Sequence, residues 1–156
     1  MKTKERIKII EELCERNNIK IEWRKSEVNS GIAYIKDRKI IIPKPRSSSK
    51  LITCFHEISH ILLGNIKPSY FEEYLAVKKS FEFMKEYKIP ISRKIKKKEI
   101  EYVAYSLQQA IHRGLKIIIP EVKHFIKKDF PDTALGLHRY ISVSYTHLTL
   151  PTTPYV

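Results

Sequence analysis

His56, Glu57, Ile58, Ser59 and His60 read H-E-x-x-H, the stretch of this chain best suited to chemistry. A helical turn takes about 3.6 residues, so positions 56 and 60 share one face. Two imidazoles on one face can direct a nitrogen each at a single Zn2+ ion. Glu57 is displaced by one residue, which sets it to take a proton from a water rather than to bind the metal. All of this holds only on a helix, so the flanks matter. Ser47, Ser48 or Ser49 can cap a helix start, and Gly64 suits its end. Leu51, Phe55, Ile58 and Leu62 recur at helical spacing as a core stripe. Pro45 and Pro68 fall outside the turns that carry the histidines. The plainer alternative is a buried helix that holds two histidines by accident; the helical context speaks against it.

The remaining elements must position that helix. Residues 4–17 predict an amphipathic helix with Ile7, Ile10, Leu13 and Cys14 on its apolar side. A short extended stretch follows at 19–24. Residues 31–42, GIAYIKDRKIII, predict a β-hairpin turning at Lys36, Asp37 and Arg38, with Pro43 and Pro45 closing the second strand. Beyond Pro68, Ser69 and Glu72 have the form of a capping box, which predicts a helix to about residue 87. Tyr70, Tyr74, Val77, Phe81 and Met84 are its apolar stripe. Residues 96–113 predict a further helix with Ile100, Val103, Ala104, Leu107 and Ile111 inward and Gly114 at its end. Residues 115–119 are a short apolar run, strand or packed loop, and Pro120 opens a last helix through about residue 129.

Glu73 is the expected third ligand. It borders the apolar stripe, and a carboxylate there needs a partner because an unpaired buried charge is costly. His60 lies four residues before Gly64 and Glu73 four after Ser69, so at ~1.5 Å per residue both stand at one level of an antiparallel helix pair. The competing use of Glu73 is an ordinary salt bridge to a lysine. Glu72 lies on another face, and its capping role accounts for it. His112, His124 and His138 are single histidines without ligand spacing. Cys54 points away from the metal face and reads as packing.

The chain has 156 residues, one domain by size, with enough length for a core. No apolar run approaches the ~20 residues of a membrane span, and the charged amphipathic start is no signal peptide. Two cysteines make no disulfide framework, which favours a cytoplasmic setting. The net charge of +13 favours polyanions, but the lysines are scattered apart from Arg93, Lys94, Lys96, Lys97 and Lys98. That run reads as a solvated face, and nucleic acid is a weakly supported partner. Residues 143–156, VSYTHLTLPTTPYV, hold no charged side chain; most of the stretch resembles the translation of a sequencing-library adapter. We set it aside from fold and function as a non-native tail, leaving a single domain over residues 1–142.

A hairpin leading into an H-E-x-x-H helix, then a helix with a downstream glutamate, resembles the ImmA/IrrE-type zinc metallopeptidases, over roughly residues 31–87. Their pattern continues to a segment close to E-x-E-A; here it is Glu73, Tyr74, Leu75 and Ala76. Ser59 stands where the family often has glycine, and Leu75 replaces the second glutamate. The resemblance implies His56, His60 and Glu73 as zinc ligands and Glu57 as catalytic base. It implies an α+β, compact zincin-like domain with the H-E-x-x-H helix packed on the helices that follow. It also implies a cytoplasmic endopeptidase of phage or mobile-element type whose protein substrate is a helix-turn-helix repressor. The rival expectation is a basic binding module of a mobile element, with a structural or degenerate metal site, that holds a repressor or nucleic acid without cutting. Glu57 argues against the rival, since a closed structural site has no use for it.

The tail gives the first prediction. A chain ending at Ser142 is expected to melt at the same temperature as the full chain. A clear drop in thermal stability on truncation would show that residues 143–156 belong to the fold.

Overall fold

The computed structural model describes residues 1–26 and 28–129, and all structural statements concern those residues. The elements run α1 (Thr3–Arg16), β1 (Lys20–Trp23), β2 (Ile32–Tyr34), β3 (Lys39–Ile42), α2 (Ser48–Leu63), α3 (Ser69–Glu86), α4 (Arg93–His112) and α5 (Pro120–Asp129). This is a small α+β fold. No helix is long and apolar enough to cross a membrane. The backbone divides into two compact units. One holds Met1–Asn65 with Leu75–Ile91; the other holds Ile66–Tyr74 and the chain from Ser92. Helix α3 supplies residues to both.

In the first unit the expected hairpin forms: β2 and β3 pair antiparallel, with Ala33 opposite Ile40. The extended stretch before it becomes β1, which pairs with β3 in parallel, Ile21 beside Ile40. Strand β3 is therefore the centre of a three-stranded sheet ordered β1-β3-β2. Alternation sends Ile40 and Ile42 inward, fully buried, beneath α2. Arg38, at φ 47° in the hairpin turn, donates to the carbonyls of Asn17 and Asn18 and ties the turn to the end of α1. Helix α1 buries Ile10, Leu13 and Cys14. Its first turn is held by Glu5, which accepts from the Lys2 backbone N–H at 3.2 Å.

Helix α2 is buried over most of its surface, with Lys50, Thr53 and Glu57 on its half-exposed side. Leu51, Phe55 and Ile58 are fully buried as expected, and Ile52, Cys54 and Ile61 join them, while Leu62 is only half-buried. Ser47 is the cap, its hydroxyl accepting from the Lys50 N–H at 3.2 Å. Gly64 ends the helix at φ 78°, a conformation costly for a residue with a Cβ, while its N–H reaches the His60 carbonyl. Phe55 stacks on Phe83 and Tyr87, with ring centroids at 5.3 and 5.8 Å.

In the second unit Tyr70 and Tyr74, on the first turns of α3, anchor the chain around α5. The Tyr70 hydroxyl accepts from the Ile119 N–H at 3.2 Å, and the Tyr74 hydroxyl donates to Glu121 at 2.5 Å. Burial, then the hydrogen bond to Glu121 and its charge, raise the Tyr74 pKa and keep the phenol protonated. The α3 start departs from expectation. Phe71 and Glu72 both donate their N–H to the Pro68 carbonyl, so the helix begins one residue early and Ser69 lies inside it rather than capping it. Helix α4 also begins early: Ser92 caps it, accepting from the Ile95 N–H at 3.2 Å, three residues before the expected start. Its inward face is the expected one, Ile100, Val103, Ala104, Leu107 and Ile111. Residues 115–119 form no strand; they are a loop that buries Leu115 and Ile118. The tail at 143–156 and His138 lie outside the described residues.

Phe55 joins the H-E-x-x-H helix to the rest of its unit through two ring contacts and full burial. Phe55→Ala is expected to cost about 3–5 kcal/mol, the usual range for a large core aromatic, read from urea denaturation. A cost under about 1 kcal/mol would mean that the stack does not hold α2.

Candidate metal centre

The register of α2 puts His56 and His60 one turn apart on the same side. Both are buried, 6% and 8% exposed. Their Nε2 atoms stand 3.1 Å apart, with the rings edge-on at 73°. Two nitrogens each about 2.0–2.1 Å from one tetrahedral zinc stand roughly 3.3 Å apart, so the pair is near the spacing of two ligands on one ion. The same separation suits an N–H···N bond between neutral rings. Glu73 joins the pair in a group close enough to hold a metal ion. His56, His60 and Glu73 each offer one ligand atom, and these atoms all lie within 4.8 Å of one another.

The donor set is chemically coherent. Two neutral imidazoles and one carboxylate suit a divalent transition ion and leave room for a further ligand. The two thiols do not compete. Burial pushes the Cys14 pKa up to about 12 and raises that of Cys54 strongly, so both stay protonated near neutral pH. Cys54 is occupied in any case, its Sγ donating to the Pro43 carbonyl at 3.3 Å.

Among the described residues this is the one group of three or more such side chains that lie close enough to hold a metal. It contains the three residues that the sequence selects as ligands. Glu57 is not among them; it is half-buried and packs on Gly31. Glu72 also lies outside the group. His112 and His124 are exposed and remain apart from it. Ser59 is fully buried beside His60, and its hydroxyl donates to the Phe55 carbonyl at 2.7 Å, so the small polar side chain fits the helix without an unsatisfied group. Sequence reasoning missed Gly31. Its only signal was scarcity, since the whole chain has four glycines.

Set against known proteins, the chain matches no family model, no curated protein and no solved structure.

The group separates two neighbouring carboxylates. Glu73→Gln is expected to weaken zinc binding by roughly 10²-fold or more, beyond the loss from an outer-shell change. Glu72→Gln should leave it unchanged. Competition with a chromophoric chelator measures both, and the reverse order would assign the third ligand to Glu72.

Proposed function

We propose that this chain is a zinc-dependent endopeptidase of ImmA/IrrE type. The observation that carries the reading is the grouping of His56, His60 and Glu73 with a glutamate, Glu57, next to the first histidine on the same helix. Two histidines and a carboxylate are the ligand set of hydrolytic zinc sites, whereas structural sites are usually closed by four residues, often cysteines. A zinc ion held there would supply a Lewis acid that acidifies water and polarises a peptide carbonyl.

The chain's own residues do the rest. His56, His60 and Glu73 would hold the ion. Helix α2, buried on most sides and capped at Ser47 and Gly64, keeps the two imidazoles in one geometry. Glu57 stays off the ion and takes the proton of the attacking water. It then hands that proton to the departing amine, so one carboxylate serves as base and then as acid. The substrate class is a protein, and the family resemblance makes a helix-turn-helix repressor the one to try. Cleavage of such a repressor would release genes of a mobile element or a stress response.

Glu57→Gln tests this reading directly. Glutamine keeps the size of the side chain and most of its hydrogen bonding but cannot accept the proton. The variant is expected to fold, to bind about one zinc per chain and to lose at least ~10²–10⁴-fold in cleavage rate, the scale of a general base. A repressor encoded beside this gene is the substrate, with wild type, Glu57→Gln and chelator-treated protein run in parallel. Equal cleavage by wild type and Glu57→Gln would rule the mechanism out. Zinc-loaded wild type that grips the repressor without cutting it would favour a binding module.

A further inference from the structure

We propose that Gly31 is a positioning residue for Glu57: its missing side chain leaves the space in which the glutamate stands. The inference rests on the peptidase reading for its functional weight, but the contact itself does not.

Gly31 immediately precedes β2, and its φ is not in the left-handed region, unlike those of Gly64 and Gly114. A left-handed φ is therefore not the reason for glycine there, and a spatial reason stands beside it. A Cβ built at Gly31 would lie 2.5 Å from Cγ of Glu57, 3.2 Å from its Cδ and 3.2 Å from the Ile41 carbonyl oxygen. Comfortable carbon–carbon contacts are about 3.5–4.0 Å, so the first of these cannot stand. The Ile41 carbonyl belongs to β3, where Ile41 is paired with Ile32, and it cannot retreat without breaking the sheet. The group that must give way is the Glu57 side chain.

The strand pattern explains the closeness. Residues 31 and 33 project to one side of β2, and residues 32 and 34 to the other. Ile32 and Tyr34 are exposed, whereas Ala33 is half-buried opposite the fully buried Ile40. The helix-facing side of β2 thus carries a glycine and an alanine, small enough for α2 to lie close over it. Glu57 leaves α2 on that side. On an open helix surface a glutamate samples several rotamers and loses that freedom when it is fixed. Packed on the Gly31 backbone, it is fixed beforehand, one residue from His56, and preorganisation of this kind is what a proton-transfer group needs.

The experiment compares wild type, Gly31→Ala, Glu57→Gln and the Gly31→Ala/Glu57→Gln double variant, all zinc-loaded and screened for an unchanged circular dichroism spectrum. The carboxyl carbon resonance of Glu57 is assigned by its disappearance in Glu57→Gln. In Gly31→Ala that resonance should move more than any other glutamate's, with zinc stoichiometry unchanged. On a cleaved substrate kcat should drop about 10²-fold, the scale of a misplacement near 1 Å, with KM little altered. The double variant should be no slower than Glu57→Gln alone, because Gly31 acts only through the carboxylate. An unmoved Glu57 resonance overturns the inference, and so does a moved one with full kcat. If wild type cleaves nothing but the resonance moves, the placement stands and the peptidase reading fails. Should Gly31→Ala not fold, Gly31→Ala with Glu57→Ala, which removes both clashing carbons, is the second test. Recovery of folding supports the contact; continued failure would mean that the Ile41 carbonyl, not Glu57, excludes a side chain at Gly31, and overturns it.

Discussion

The candidate site depends on two imidazoles held 3.1 Å apart on one buried helix of the first unit. Polar rings in an apolar helix are costly unless their nitrogens find partners. Each Nε2 has the other as a neighbour, and Glu73 offers an oxygen within 4.8 Å of a ring nitrogen of each. The rest of the unit limits how far the pair can relax. Ser47 and Gly64 fix the ends of α2, the Phe55 stack fixes its rotation, and Ile40 and Ile42 support it from the sheet. The half-exposed side of α2 carries Lys50, Thr53 and Glu57, and the histidines lie off it, 6% and 8% exposed. Its placement follows from its apolar residues, which enclose the histidines between them.

The fold was legible where its signals are local. The α2 cap, its stop and its stripe lie within one continuous stretch, and the hairpin shows itself in two β-rich runs around a polar turn. The parallel pairing of β1 with β3 was not legible, because register across a sheet leaves no mark on either strand alone. The start of α3 was misread for a different reason. Ser69 and Glu72 have the right spacing for a capping box, but the Pro68 carbonyl takes the first helical bonds and moves the frame by one residue. At α4 the basic run hid the beginning. Arg93 and Lys94 oppose the helix dipole, yet the Ser92 hydroxyl caps the turn in spite of them. Hydrophobic periodicity fared better: the α4 face is buried as read, and α3 buries Tyr70, Tyr74, Val77 and Met84, with Phe83 taking the place expected for the half-buried Phe81.

The candidate site divides in the same way. His56 and His60 follow from spacing alone, and Glu73 from helix phase and its position beside the core. Gly31 stands twenty-six positions before Glu57 in sequence, and no periodicity connects them. Only the fold of β2 under α2 brings backbone and carboxylate into contact. Motifs record which residues react. The residues that shape the space around them come from elsewhere in the chain and carry no motif.

Glycine use makes that division physical. Gly64 and Gly114 stand at helix ends with positive φ, where a Cβ is costly. Gly31 has no left-handed φ and sits at the start of a strand, where glycine weakens local structure and packs nothing of its own. A chain with so few glycines spends one where no left-handed φ requires it. What occupies the vacated volume is neither solvent nor an apolar side chain but the stem of Glu57, whose carboxylate the proposed chemistry needs off the metal and still within one residue of a ligand. The structural cost at Gly31 and the separate position of Glu57 are therefore one feature, and each accounts for the other.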